Sequence, residues 1–358
     1  GVGMGVDLRH GGNREAAAAR LNCRPSQLLD ASASLAPWSP RCSRISLSAI
    51  RDYPDRGQTS LRRVMAGLHG LDPEAVLPGN GAAELFTWAA RDAAAAGVSG
   101  LLAPGFADYR RALACWNAPW IDVPLVLRWD HPGPLAHPPL QASVAWICNP
   151  HNPTGQLWSR ASLEPLLASH DLVICDEAFL PLVSEGGQQS MIPLVEHHPN
   201  LVVIRSLTKL FGVAGLRIGY AVAHPDRLKR WAGWRDPWPV NGIAAALTEQ
   251  LLVPRRRYQR WCRRVQHWTA TEGAWMQRHL ASVPGLCPMP SSANFQLISG
   301  VGSLVPLREA LERSHRILLR DCRSFEGLGE SWLRIGLQTR ANNRRIVGAL
   351  QRLQSTKV

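Results

Sequence analysis

Short, almost purely apolar runs that each end on a polar or glycine-bearing turn constrain this chain more than any other feature. Leu101 to Ala103, Ser143 to Cys148, Leu172 to Cys175, Leu201 to Ile204 and Ile218 to Ala223 all read this way, and the amphipathic stretch Ser159 to Ala168 separates two of them. Strands that are apolar throughout must be covered on both faces. Alternation with helices is what the crossovers of a largely parallel sheet require, so the spacing predicts an α/β fold. In such sheets a ligand lies beyond the carboxyl ends of the strands, which makes the residues after each run the ones to read for chemistry.

Those residues are chemically varied. Val76-Leu77 passes through Pro78-Gly79-Asn80-Gly81-Ala82 into a predicted helix, Ala83 to Ala96. A glycine turn feeding a helix N-terminus presents backbone N–H groups and the positive end of the macrodipole, which suits a phosphate, although many such turns bind nothing. The next runs end on Phe106, on Asn149-Pro150-His151-Asn152-Pro153-Thr154-Gly155, on Asp176-Glu177-Ala178-Phe179, and on Ser206, Thr208 and Lys209, with Arg217 shortly after. Only three of the 40 basic residues are lysine: Lys209, Lys229 and Lys357. Where arginine otherwise supplies fixed charge, a lysine between apolar segments suggests an amine that must lose its proton, as in a Schiff base to a carbonyl cofactor. A lysine snorkelling from a strand end is the other reading.

Composition sets the outer limits. With 358 residues, 46% hydrophobic and 19% charged, the chain can bury a large core and one smaller one. A change of pattern at Trp234 to Pro239 suggests a large domain over 46–235 and a smaller one over 236–358, with 1–45 joining the smaller domain and the site. The second part is predicted to be helical from Ile243 to about Ala281, to carry short strands near Asn294 to Ile298, Ile317 to Leu319 and Trp332 to Leu337, and to close with a helix over Asn342 to Gln354. Earlier helices are predicted from Arg14 to Leu21 and, capped by Ser60, from Leu61 toward Leu68.

Glu84, Arg91, Asp92 and Asp108 interrupt the most apolar region, so no membrane span is expected. The N-terminal residues show no export pattern, and Met4 offers a natural start. The eight cysteines are scattered without C-x-x-C, which points to a reducing cytoplasm and to no metal site. A net charge of +13 raises nucleic-acid binding. However, the densest basic run, Arg255 to Arg264, recurs at helical spacing beside Trp261 and Trp268 and reads as a solvated helix face; no nucleic-acid partner is expected.

Taken in order, N-P-x-N-P-T-G, D-E-A-F, and S-x-T-K with R-I-G eight residues after the lysine resemble the fold type I pyridoxal phosphate enzymes of the aminotransferase class I and II group. The resemblance implies a mostly parallel central sheet between helices plus a smaller α+β domain. It implies that Lys209 carries the cofactor as a Schiff base and then acts as general acid and base at the substrate α-carbon. Asp176 would pair with the pyridine N–H, Asn152 would donate to the phenolic oxygen, and Phe106 would stack on the ring. Gly81, Ala82, Ser206 and Arg217 would hold the phosphate, and Tyr53 would reach the phosphate of a neighbouring subunit in a homodimer with shared sites. Phe179 departs from the family pattern, in which a tyrosine is common at that position.

Within the group, H-G-G-N, L-L-D-x-S-A, Y-P-D, L-P-G-N-G-A-x-E and R-D-C resemble the L-threonine-O-3-phosphate decarboxylases of cobalamin biosynthesis, close relatives of the histidinol-phosphate aminotransferases. The resemblance implies a small phosphorylated amino-acid substrate contacted by His10, Ser34, Asn152, Arg320 and Arg334. Ser34 and Ala36 stand where asparagines are usual, which puts the contacts of that segment in question.

Overall fold

The computed structural model describes residues 10–42, 45 and 47–356; Met4 and Lys357 lie outside them. From the N-terminus, α1 (Arg14–Arg20) leads to β1 (Leu29–Asp30), and α2 (Thr59–Gly67) leads to β2 (Val76–Gly79). There follow α3 (Gly81–Ala96), β3 (Ser99–Ala103), α4 (Asp108–Ala114), β4 (Trp120–Pro124) and β5 (Val144–Cys148). Two short helices, α5 (Arg160–Leu163) and α6 (Leu166–Ser169), cross to β6 (Leu172–Asp176), then come β7 (Leu201–Ser206), α7 (Thr208–Phe211) and β8 (Gly219–Val222). The remainder is α8 (Pro225–Trp234), α9 (Gly242–Leu252), α10 (Arg255–Ala281), β9 (Leu286–Pro288), β10 (Phe295–Gly300), α11 (Val305–His315), β11 (Ile317–Leu318), β12 (Arg320–Asp321), β13 (Trp332–Gly336) and α12 (Arg340–Ser355).

Seven strands form the main sheet in the order β2-β8-β7-β6-β5-β3-β4, and β8 alone runs against its neighbours. Every residue of β5, β6 and β7 is buried. Alternation divides them between two cores: Ile147, Val173 and Val203 pack on one face, while Trp146, Ile174 and Val202 pack on the other beside Leu85 of α3 and Leu228 of α8. The smaller sheet is antiparallel, β12-β13-β10-β9, and β1 pairs in parallel with β11. Among the described residues no helix is long and apolar enough to cross a membrane.

Local expectations shift where proline or a competing acceptor intervenes. The amphipathic stretch over 159–168 is two helices, because Pro165 has no N–H to continue the first. The long helical region likewise breaks at Val253-Pro254. Ser60 does not cap α2; Asp55 takes the N–H groups of Gly57 (3.2 Å) and Thr59 (2.9 Å), and the helix begins at Thr59, two residues earlier than expected. β4 and β9 carried no strand signal, since β4 is a half-exposed edge and β9 is only three residues long.

The step from Asp176 to Glu177 separates a site residue from a structural one. Glu177 is wholly buried and accepts bonds from Ser190 Oγ (2.7 Å), Met191 N (2.8 Å) and Arg205 Nε (3.0 Å). Removing the cation strands this carboxylate. Arg205→Ala is therefore expected to cost about 3–5 kcal/mol of unfolding free energy by denaturant titration, and Glu177→Leu added to it should recover part of the loss.

Candidate functional site

All the sequence-predicted site residues except Tyr53 line one cavity of about 470 Å³ beyond the carboxyl ends of β5, β6 and β7. Tyr53 is 80% exposed, stacked at 4.4 Å on Trp238, and is not part of that cavity.

One end of the cavity is built for an anion. Gly81 opens α3 with a φ of +74°, and a Cβ there would lie 2.6 Å from Arg217 Nη2, so glycine is what lets the guanidinium close on the helix N-terminus. Asn80 does not cap α3 with its side chain, and the N-terminal amides and the dipole meet the cavity without a built-in acceptor from that residue. Facing them, Ser206 Oγ and Thr208 Oγ1 are 2.9 Å apart, and Lys209 Nζ lies 3.5 Å from Ser206 Oγ.

At the middle of the cavity sits Asp176, 4% exposed at the end of β6. It accepts the Tyr109 hydroxyl (2.5 Å) and the Ala178 N–H (2.9 Å). Burial lifts its carboxyl to about 6, opposed by these two bonds and by the charge of Lys209. Burial also pushes the Lys209 amine below the usual lysine range, with Asp176 opposing and Arg217 adding to the shift. The amine is thus easier to deprotonate than an exposed one, as a nucleophilic lysine needs. Phe179, edge-on to Phe295 at 5.2 Å, lies 5.8 Å from Lys209 Nζ and offers it no hydrogen bond.

The other end gathers positive charge. Arg334 is buried; it donates through Nη1 to Asn152 Oδ1 and through Nη2 to the Ser32 carbonyl (3.1 Å), while its Nε has no partner. Arginine only donates, so the Asn152 oxygen must face it and the amide nitrogen turns elsewhere. Arg320 packs its guanidinium 4.7 Å over Phe325 and bonds to the Asp321 carbonyl and Ser324 Oγ. Burial, and then the charge of Arg320, lower the proton affinity of Arg334. Ser34 Oγ is buried without a partner, and His10 stands edge-on to Phe106 at 5.9 Å. Two buried guanidiniums, an imidazole and an orphaned hydroxyl beside one another suit a second anion.

Sequence reasoning missed Tyr109 and Phe325. Tyr109 follows Phe106 by three residues where α4 begins, so a strand-to-helix turn with aromatics at that spacing was the available signal. Phe325 lies in a loop beyond β12 and had none.

A family model described as aminotransferase class I and II matches residues 39–350. The chain is 32% identical to the threonine-phosphate decarboxylase of Salmonella typhimurium, over 96% of this chain and 95% of that protein. It is also 32% identical to a histidinol-phosphate aminotransferase of Symbiobacterium thermophilum, over 88% and 86%. The crystal structure of L-threonine-O-3-phosphate decarboxylase from Porphyromonas gingivalis superposes with a TM-score of 0.75 at 27% identity, covering 87% of this chain and 93% of that one.

The Asp176 carboxyl carries a testable sign. Its folded value lies above its ordinary 3.8, so its ionisation disfavours the ligand-free fold, and the handicap appears as pH rises from about 4 through 6. Ligand-free Asp176→Asn should be more stable than the native protein by up to about 3 kcal/mol above pH 6 and equal to it below pH 4, as read by thermal unfolding across that range.

Proposed function

Because the chain belongs to the class I and II aminotransferase family, we propose that it is a pyridoxal phosphate-dependent decarboxylase. It converts L-threonine O-3-phosphate to (R)-1-amino-2-propanol O-2-phosphate and carbon dioxide in cobalamin biosynthesis. The observation that carries this reading is the paired burial of Arg320 and Arg334 beside His10, across the cavity from a separate anion cradle. A cofactor phosphate and a substrate phosphate need two such places.

The residues fit the cofactor. Gly81, Ala82, Ser206 and Arg217 would hold its phosphate, Asp176 its ring nitrogen, Asn152 its phenolic oxygen and Phe106 one ring face. The carboxylate in a buried setting is the acceptor a protonated ring nitrogen requires. When bound, pyridoxal phosphate supplies an electron sink for the charge left on the substrate α-carbon as a bond there breaks. His10, Arg320, Arg334 and Ser34 would hold the substrate by its phosphate, which would leave its carboxylate unclamped and free to depart as carbon dioxide. Lys209, with its lowered proton affinity, then delivers a proton to the α-carbon and keeps it stereochemically defined by standing on one side.

We further infer a homodimer in which Tyr53 of one subunit completes the phosphate cradle of its partner. Supporting this, Tyr53 is exposed and does not line its own cavity, while Leu47 and Ile50, near it in sequence, and Trp238, which shares its groove, are also exposed apolar or aromatic residues. A reducing cytoplasm is the compartment we assign, in keeping with eight free cysteines.

Carbon dioxide release from O-phospho-L-threonine without any keto acid is the expected activity. Turnover that instead requires histidinol phosphate and 2-oxoglutarate would make the protein an aminotransferase. Lys209→Ala should abolish the visible absorption of the protein-bound cofactor, and an unaltered spectrum counts against the assignment. Tyr53→Phe should weaken cofactor binding about tenfold. Mixing such subunits with Lys209→Ala subunits should regenerate sites of native affinity, and no recovery on mixing would remove the shared-site arrangement.

A further inference from the structure

The segment from Asp30 to Ala36 lines the site and is bonded to the parts of the chain that carry His10, Lys209, Arg320 and Arg334. Ala31 N donates to the Leu318 carbonyl (2.9 Å), close to Arg320, and Gly336 N donates to the Ala31 carbonyl (2.7 Å), close to Arg334. Ala36 N donates to the Lys209 carbonyl (2.9 Å). Ser32, 8% exposed, is the residue in this segment that faces both ways. Its carbonyl accepts Arg334 Nη2, and its hydroxyl accepts the Gly12 N–H at 3.0 Å, two residues beyond His10.

The hydroxyl is held in the orientation this needs. Asp30 Oδ1 takes the Ser32 Oγ proton (2.5 Å) and the Ser32 N–H (2.9 Å). A serine hydroxyl has one proton to give, and with that proton directed at a carboxylate its lone pairs are left for the Gly12 amide. The neighbouring residue supplies the closeness: a Cβ on Gly11 would sit 2.1 Å from the Ser32 carbonyl oxygen, so only glycine lets the His10–Gly12 segment lie against it. The atom that excludes a side chain at Gly11 is the same oxygen that holds Arg334.

We propose that Ser32 is a positioning residue for the phosphorylated substrate, its hydroxyl fastening the His10–Gly12 segment and its carbonyl fastening Arg334, so that one residue sets the separation of two side chains that grip the phosphate. This rests on the reading that His10 and Arg334 bind that phosphate. Asp30 acts one step further out by orienting the hydroxyl.

Ser32→Ala keeps the carbonyl, and with it the Arg334 contact, but releases Gly12. It should raise KM for O-phospho-L-threonine about tenfold, with kcat within about twofold and with the cofactor spectrum and thermal midpoint at native values. Calorimetric binding of the amino-propanol phosphate product should weaken by the same factor. Ser32→Thr, which keeps a hydroxyl, should restore most of the affinity, whereas Gly11→Ala, which displaces the His10–Gly12 segment from the other side, should reproduce the defect. In a His10→Ala background Ser32→Ala should add less than about twofold, because its effect runs through His10. Full tenfold additivity in that background, or a fall in kcat at constant KM, overturns the proposal. If His10→Ala raises KM while Ser32→Ala does not, the positioning role alone is lost; if His10→Ala leaves KM and product binding unchanged, the phosphate reading falls with it.

Discussion

Buried charge left for a ligand to neutralise is the constraint on which the rest of this structure depends. Where charge serves the fold, the chain balances it internally: Glu177 meets Arg205, Arg308 meets Glu312 and Asp321, and Asp92 meets Arg227, Arg230 and the Trp231 N–H. In the cavity the balance differs. Asp176 accepts a hydroxyl and an amide N–H, while Arg334 rests on an amide oxygen and a carbonyl with its Nε orphaned. In a low-dielectric interior such groups are costly until an opposite charge arrives. A ligand that is anionic at both ends and carries a cationic ring nitrogen between them matches this distribution.

The sheet makes that arrangement possible because parallel strands end on one edge. β5, β6 and β7 each spend their length on apolar burial and then deliver Asn152, Asp176 and Lys209 within a few residues of their carboxyl ends. The antiparallel small sheet brings the opposite wall. β12 and β13 place Arg320 directly across from Arg334 in register, and β10 lies on the other side of β13. The N-terminal segment closes the gap between the two, with β1 beside β11 and Ala36 bonded to the Lys209 carbonyl. Residues some 300 positions apart in the chain thereby meet around one substrate-sized space.

Much of the cofactor end was legible in the chain because each part is local. A glycine turn before α3, a carboxylate after β6 and a lysine after β7 depend on a few neighbouring residues and on the rule that ligands sit at strand ends. Tyr109 was not legible as a site residue, and Ser32 was legible only as one member of the L-L-D-x-S-A run, since a hydroxyl acquires its role only from what the fold sets against it. Tyr109 matters through Asp176, 67 residues away, and Ser32 through Gly12 and Arg334. Pro165 and Pro254 broke predicted helices for a reason present in the sequence, the missing N–H, whereas the use of Asp55 in place of Ser60 at α2 was a competition between acceptors that composition does not rank.

By itself, then, the sequence determined the alternation of buried strands and helices, the identity of the groups at the strand ends, and the lysine singled out from a background of arginine. Those follow from periodicity and from residue chemistry. Only the tertiary structure decided that Arg320 and Arg334 face the same cavity as Lys209, that Tyr53 lies outside the lining of that cavity, and that Ser32 stands between His10 and Arg334. The physical reason is range. Secondary structure and motif chemistry are set by neighbours a few residues apart, but the separation of two charges across a cavity is set by which strands pair, and that pairing brings together the two ends of the chain.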